Sequence, residues 1–334
     1  MKLLVIGGTR FVGRHAVEQA VGRGHEITMF HRGESEPGDG FPDVEHVHGD
    51  RDGGLSLLKG RTWDAALDTC GYVPRVVRQS ARLPGIAAGH YTFISSLSVY
   101  PEDVAPGATE ATPGHGPSSS DTEETSGENY GPLKVACESE VQSAFPGRAL
   151  IVRPGFIVGP HDSRDRFPYW VRRAAMGGEM LAPEPGDLRV QLVDVRDLAA
   201  FVIDHVEAGT GDVFNVTGPE GVLTMRELLE FCVAGGHADT ETTWVREDFL
   251  RERGLHEPGK HGWEQLPYWY PESAGFSAFE VSKALGSGLR LRPLAETIAD
   301  TLAWDRAREQ TWPMGAGITP VRERELLDAW RERE

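Results

Sequence analysis

The sequence predicts an α/β protein built on a doubly wound parallel sheet. Three observations predict this fold class: short apolar runs recur along the first half of the chain, helical patterns separate them, and glycine turns follow several of them. Strands separated by helices form right-handed crossovers, which make the strands parallel and cover both faces of the sheet. The 334 residues suffice for about two domains, or for one large domain with an appendage.

The predicted elements of the first half alternate strictly. Residues 3–6 form a continuously apolar run, as in a strand buried on both faces, and residues 11–21 follow with a helical pattern that ends at glycines. Residues 76–83 are helical behind a later strand. The further predicted strands are 26–30, 44–47, 65–67, 91–94 and 149–152.

The second half is less regular. Residues 191–194 are predicted to return to the sheet, 195–206 to form a helix, and 214–216 to add another strand. Thr224 and Glu227 have the spacing of a capping box that opens an amphipathic helix. We therefore predict a dinucleotide-binding domain from residues 1–158 plus about 188–217. A smaller, mostly C-terminal substrate-binding region would comprise 159–187 plus about 218–334.

Composition restricts the class of partner. Acidic residues outnumber Lys plus Arg by 51 to 34, so the net charge is −17, which repels nucleic acid and anionic lipid. Three separated cysteines form neither a disulfide framework nor a zinc motif and fit a reducing compartment. Without a signal-peptide pattern or a long apolar run, we expect a soluble, cytoplasmic protein.

Residues 101–129 interrupt the alternation of strands and helices. This stretch holds seven acidic residues, no Lys or Arg, and no apolar period. Long loops inside compact domains are active-site lids or disordered segments, and the sequence leaves both alternatives open.

A glycine turn between the first strand and the first helix is the first chemical signal. Glycines at 7, 8 and 13 let the backbone approach a pyrophosphate, and the helix N-terminus supplies free N–H groups and partial positive charge. The predicted cofactor contacts in this turn are Gly7, Thr9, Arg10, Phe11, Val12 and Gly13.

The end of the second strand bears on the choice of cofactor. An NAD site usually has an acidic residue here for the ribose 2′-hydroxyl, whereas this chain has His31 and Arg32. A guanidinium suits a 2′-phosphate, so NADP(H) is favoured over NAD(H), with a solvated Arg32 as the alternative. Asp50, after the third strand, is a candidate for the adenine amino group or for a turn cap.

Tyr130 and Lys134 are the candidate catalytic pair. Residues four apart face the same side of a helix, and a nearby ammonium would lower the pKa of the phenol, which would make it an acid or base near neutral pH. Ser96, in the serine-rich segment after the fifth strand, could hydrogen-bond a substrate oxygen beside the tyrosine.

Other polar groups have competing interpretations. The loop 161–166 either reaches the substrate or is solvated. His46 and His48 share one face of a strand, but no third ligand is apparent, so no metal site is predicted. Trp269 belongs to an aromatic patch that either walls a substrate pocket or forms a satellite hydrophobic cluster.

Five motifs in order resemble the extended short-chain dehydrogenase/reductase family, also called the NAD-dependent epimerase/dehydratase family, and cover about residues 1–235. They are G-G-T-R-F-V-G from Gly7, S-S-L-S-V-Y from Ser95, Y-G-P-L-K from Tyr130, R-P-G-F-I-V-G-P from Arg153 and V-D-V-R-D-L-A from Val193.

The resemblance implies a Rossmann-type sheet and a set of roles. Tyr130 would be the acid/base, Lys134 would hold the nicotinamide ribose, and Ser96 would take the catalytic serine position. The implied further contacts with the cofactor are Cys70, Gly71, Pro154 and Phe156, and Arg189 is the implied contact with the substrate. Ser98 and Trp269 are further candidates for contact with the substrate.

Three departures qualify the resemblance. Arg10 replaces the middle glycine of the family's turn, which resembles an atypical branch that includes chloroplast stem-loop-binding proteins. Leu97-Ser98 stands where sugar 4,6-dehydratases carry an Asp-Glu pair, which argues against dehydration. Arg189 matches an arginine that grips nucleotide phosphates in relatives, with a structural salt bridge to Asp187 as the alternative.

The resulting functional hypothesis is an NAD(P)-dependent oxidoreductase that moves a hydride between nicotinamide and a secondary alcohol or ketone of a small molecule, as a reductase. One alternative is a nucleotide-sugar epimerase with tightly bound NAD. Another is a non-enzymatic homologue that binds RNA or senses the cofactor. The resemblance also implies a homodimer, and no membrane or nucleic-acid partner is expected.

Overall fold

The computed structural model describes residues 1–34, 40–83, 85, 89–116, 122–125, 127–219, 223–236, 239–255, 265–309 and 311–333. Seven strands form one parallel sheet in the order β3-β2-β1-β4-β5-β6-β10, which confirms the doubly wound α/β class. Its strands are β1 Lys2–Ile6, β2 Glu26–His31, β3 Glu45–His48, β4 Ala65–Asp68, β5 His90–Ile94, β6 Ala149–Pro154 and β10 Val213–Val216.

Helices cover both faces of this sheet, because its strands are apolar on both sides. The side chains of β1 alternate between two hydrophobic clusters: Leu3 and Val5 pack with α1 and α5, while Leu4 and Ile6 pack with α2 and α3. The covering helices are α1 Phe11–Gly22, α2 Pro74–Ala81, α3 Gly127–Ala144 and α5 Val195–Ala208.

A second region has its own hydrophobic cluster, centred on Trp170, Leu228 and Phe249. Two short parallel pairs, β7 with β9 and β8 with β11, support it. Its strands are β7 Phe156–Val158, β8 Gly178–Pro183, β9 Leu192–Asp194 and β11 Thr240–Val245. Its helices are α4 Arg166–Ala175, α6 Met225–Gly236, α7 Glu247–Glu252, α9 Leu294–Ala307 and α10 Pro320–Arg331. The short helix α8, Ser282–Gly286, packs instead against β10 of the main sheet.

One predicted strand lies elsewhere. Residues 191–194 were expected to return to the main sheet, but Leu192–Asp194 pairs with Phe156–Val158 in a separate two-stranded sheet. The neighbour of β6 is instead Val213–Val216, in register from Val213 with Ile151 to Val216 with Pro154. The predicted domain boundaries stay a prediction.

The capping box predicted at the start of α6 is present. Thr224 and Glu227 form the predicted capping box, since Thr224 N–H donates to Glu227 Oε2 at 2.8 Å and Glu227 N–H donates to Thr224 Oγ1 at 3.3 Å. Within the acidic loop, residues 117–121 and 126 lie outside the described part. Residues 101–116 are attached to the rest of the protein in part: Gly107 N–H donates to Ala278 O, and Ala108 is buried.

In the described ranges, no helix combines the length and the apolar character that crossing a membrane requires.

Candidate active site at the carboxyl edge of the sheet

The glycine turn after β1 leaves a cradle that side chains would fill. Gly7 and Gly8 have φ of +95° and +90°, a backbone region that favours glycine. A Cβ at Gly13 would lie 2.7 Å from Gly8 Cα, so only glycine lets α1 approach the turn this closely. The side chain of Arg10, the N-cap of α1, makes no capping hydrogen bond. These features fit a dinucleotide pyrophosphate.

The end of β4 supports the turn from below. Thr69 Oγ1 accepts a hydrogen bond from Gly8 N–H at 3.3 Å and donates one to Ile6 O at 3.0 Å. A Cβ on Gly7 would lie 3.2 Å from Cys70 Sγ, which places this cysteine against the turn. Burial raises the pKa of the Cys70 thiol, so it stays protonated. The segment 69–71 thus lies along the predicted path of the cofactor.

Three histidines meet at the ends of β2 and β3. His46 and His48 were apparent from the sequence, and His31 on the neighbouring strand joins them, so that one ligand atom of each lies within 4.8 Å of the others. Gly33 N–H donates to His31 Nδ1 at 3.2 Å, His31 Nε2 contacts His46 Nδ1 at 2.9 Å, and His46 Nε2 contacts Phe41 O at 3.3 Å. These contacts fit one chain of neutral tautomers, in which His31 Nε2 carries a proton, so an ion there would require His31 to change tautomer.

The candidate 2′-phosphate residue has an acidic neighbour. Arg32 Nη2 lies 3.0 Å from Glu34 Oε2, and both side chains are more than half exposed. Glu34 was missed in the sequence because it lies beyond the usual position of the acidic residue. Asp50 is exposed and accepts the N–H of Asp52 at 2.9 Å, which is the geometry of a turn cap.

Lys134 lies beneath the site, 3% exposed. Its Nζ donates hydrogen bonds to Gly71 O at 2.8 Å and to Ile94 O at 2.7 Å, and it lies 4.4 Å from the centre of the Phe93 ring. Burial lowers the pKa of its amine to about 8. The lysine therefore ties α3 to the loops that follow β4 and β5.

Tyr130 and Ser96 form the pair that the sequence predicted, but their electrostatics differ from the prediction. Burial raises the pKa of the Tyr130 phenol, and a hydrogen bond with Ser96 and the charges of Arg164 and Arg166 offset only part of this effect. The prediction that Lys134 lowers this pKa is wrong, because the ammonium is directed at backbone carbonyls instead. Tyr130 is a protonated phenol at neutral pH.

Phe156 lies in a cluster of aromatic side chains beside Arg166. The Phe156 ring centre lies 5.2 Å from that of Tyr268 and 5.7 Å from that of Tyr270, and the Arg166 guanidinium lies 5.7 Å from it. The positive charge of Arg166 acts on Tyr130, Tyr268 and Tyr270. The loop 161–166 thus reaches the candidate site through Arg166.

Other predicted contacts occupy different environments. Ser98 N–H and Oγ both bond to Ser96 Oγ, at 3.1 Å each, so Ser98 orients the catalytic candidate. Arg189 is exposed, at a bridge with Thr224. Trp269 is 1% exposed in the hydrophobic cluster and donates from Nε1 to Glu184 O, which is the satellite-cluster alternative rather than an open pocket wall. Pro154 is buried at the end of β6.

Tyr72 was not predicted from the sequence, whereas Tyr268 belongs to the aromatic patch around Trp269 that was considered as a pocket wall. The Tyr72 ring is 6.4 Å from that of Tyr130, and Lys134 Nζ lies 5.2 Å from it. Tyr72 follows directly after Cys70 and Gly71, so its place after β4 could have suggested it. Tyr268 is distant from Phe156 in the sequence, so no local sequence pattern predicts the contact between the two rings.

Residues 64–217 match the sequence model of the NAD dependent epimerase/dehydratase family. Among curated proteins, a chloroplast stem-loop binding protein of 41 kDa (form b) from Arabidopsis thaliana is 29% identical over 260 residues, which are 72% of this chain. The chain spans 65% of the length of that relative.

Solved structures share the fold. The enzyme WbmH of Bordetella bronchiseptica, solved with NAD⁺, has a TM-score of 0.66 at 17% identity over 91% of this chain and 98% of its own. The UDP-glucose 4-epimerase of Thermotoga maritima, solved with UDP-glucose, has a TM-score of 0.69 at 16% identity over 92% of this chain and 99% of its own.

The matched segment contains the Ser96, Tyr130 and Lys134 set and the seven strands from β4 to β10. Over residues 64–217, the chain is therefore similar to the NAD dependent epimerase/dehydratase family.

Proposed function

We propose that this protein is an NAD(P)-dependent oxidoreductase that reduces a ketone of a small-molecule substrate to a secondary alcohol. The observation that carries the proposal is the Tyr130 phenol, hydrogen-bonded with Ser96 and kept protonated by burial. A protonated phenol donates to the oxygen of a carbonyl group as that oxygen gains negative charge. The same group takes a proton back when an alcohol is oxidised, so the preference for reduction rests on the cofactor proposed below.

The residues divide the work between them. When bound, the nicotinamide supplies the hydride. Tyr130 donates the proton, and Ser96 hydrogen-bonds the developing oxyanion. Lys134 holds the segments after β4 and β5 together through Gly71 O and Ile94 O, which keeps Ser96 and the cofactor path in register.

The glycine turn supports a nicotinamide dinucleotide, and we propose NADP(H) over NAD(H). Arg32 is the candidate for the 2′-phosphate, and its ion pair with Glu34 is exposed, so a phosphate can replace the carboxylate at small cost. The three free thiols fit a reducing compartment, so we propose that the protein acts in the cytoplasm. We also propose that it is a homodimer.

The experiment titrates the full chain with NADPH and with NADH, followed by nicotinamide fluorescence, and then measures loss of NADPH absorbance with a panel of ketones. Tyr130→Phe should retain cofactor affinity and lose about 10²-fold or more of kcat. An unchanged rate would remove Tyr130 from the proposed role. Tightly bound NAD that copurifies and is never exchanged would favour the epimerase alternative instead.

A second candidate is RNA binding, favoured by the relative whose name describes stem-loop binding. A net charge of −17 opposes it. Binding of a stem-loop RNA that weakens steeply with salt, in a protein that does not bind a dinucleotide, would reverse our order of preference.

A further inference from the structure

Arg166 is a partly buried cation whose Nε has no hydrogen-bond acceptor among the described residues. Its Nε is shielded from solvent. Its guanidinium carbon lies 5.7 Å from the centre of the Phe156 ring, so part of its surroundings is an aromatic face. An uncompensated buried charge is costly, and a site that retains one is suited to a ligand of opposite charge.

The nearest acidic group is already committed to the backbone. Asp162 acts electrostatically on Arg166, yet its carboxylate accepts the N–H groups of Arg164 at 3.0 Å and Phe167 at 3.5 Å. No ion pair between Asp162 and Arg166 occurs among the described residues. Asp162 therefore shapes the loop that presents Arg166 and leaves the guanidinium available.

Tyr268, which also packs against the Phe156 ring, supplies a second polar atom without a described partner. It is 1% exposed, and its hydroxyl has no hydrogen-bond partner among the residues whose positions are given. Its ring centre lies 5.2 Å from that of Phe156. Its φ of +66° is strained for an aromatic residue, and such strain concentrates at ligand sites.

We propose that Arg166 and the hydroxyl of Tyr268 form a subsite for an oxyanion, a carboxylate or a phosphate, carried by the substrate beside the carbonyl group that Tyr130 protonates. A guanidinium offers two parallel donors to an oxyanion, and the hydroxyl adds a third. The assignment of this anion to the substrate rests on the proposed function, whereas anion binding itself does not. The substrate class is thus a ketone that bears an acidic group.

The test uses the full chain saturated with NADPH, at constant ionic strength maintained with sodium chloride. Inorganic phosphate and malonate are titrated separately by calorimetry. We expect one of them to bind, and Arg166→Gln to weaken that binding at least tenfold. Tyr268→Phe should weaken it several-fold without lowering the melting temperature, because the hydroxyl has no described partner to lose. Preference for phosphate indicates a phosphorylated substrate, and preference for malonate indicates a carboxylate.

The matched control is Arg61→Gln, which removes an equal charge beside Glu45, the first residue of β3 and therefore at the opposite edge of the sheet. It should leave anion binding unchanged. Equal effects of Arg61→Gln and Arg166→Gln, binding that NADPH abolishes, or no binding of either anion would overturn the proposal. If the protein fails to bind NADPH but shows the expected anion response without it, the proposed function fails and the subsite stands.

Discussion

The Nζ of Lys134 donates a hydrogen bond of 2.8 Å to the carbonyl oxygen of Gly71, across from α3 to the loop after β4. Together with the bond to Ile94 O, this contact means that the buried lysine connects α3 to the two segments that line the predicted cofactor site. It also makes the amine a titrating group in the core of the site.

Lys134 should make the stability of the protein rise more steeply with pH than it does in a variant without this amine. Its pKa is about 8 in the folded state and 10.5 in the unfolded chain, so between these values the unfolded chain binds more protons. The free energy of unfolding should therefore increase across this window by about 3 kcal/mol from this group. Urea unfolding at several pH values measures it. Lys134→Met should flatten the increase, whereas Lys2→Met, at an exposed site, should not.

Gly13→Ala should destabilise the protein and weaken dinucleotide binding. Its Cβ would lie 2.7 Å from Gly8 Cα and 2.8 Å from Gly8 N, so the backbone must move, at about 1–3 kcal/mol. Gly22→Ala lies on the same helix with no atom within 4 Å and should be neutral or stabilising by up to about 1 kcal/mol. Equal melting temperatures for the two variants would contradict the tight-approach argument.

Glu34→Gln should increase affinity for NADPH and leave affinity for NADH unchanged, because it releases Arg32 from its ion pair. The pair is exposed, so the gain should not exceed about fivefold. Fluorescence titration of both cofactors measures it. Arg32→Gln should abolish any preference for NADPH; a preference that survives this change would assign the 2′-phosphate to another residue.

Arg51→Met should cost about 3–5 kcal/mol of stability, because it leaves the Asp68 carboxylate buried without its counter-charge. Asp68 is 0% exposed and accepts from Arg51 at 2.7 and 2.6 Å and from Tyr91 Oη at 2.9 Å. The double variant Arg51→Met, Asp68→Leu should recover most of the loss in chemical denaturation. Arg78→Met, which breaks an exposed ion pair with Glu140, should have a much smaller effect; an equal one would refute the burial argument.

The order of strands and helices was predictable because burial on two faces leaves a continuous apolar run, as in Leu3–Ile6. The pairing of Leu192–Asp194 was not, since three residues carry no information about their neighbour. A capping box, by contrast, is a local interaction, and Thr224 with Glu227 could be identified from spacing alone.

The candidate site divides in the same way. Helical spacing puts Tyr130 and Lys134 on one face of α3, but it does not say whether the ammonium meets the phenol or the backbone. The role of Arg166 depends on Phe156 and on Tyr268, about a hundred positions away, so it becomes apparent only once the chain is folded.

The position of β10 has a consequence for biosynthesis. The strand β10, which pairs with β6, is synthesised only after residues 159–212. Until then, one edge of β6 has unpaired backbone donors and acceptors. A nascent chain stalled before Val213 would present that edge to any other extended segment. Expression strategies that split the protein after β6 should therefore yield aggregates, whereas a break beyond Val216 spares the sheet.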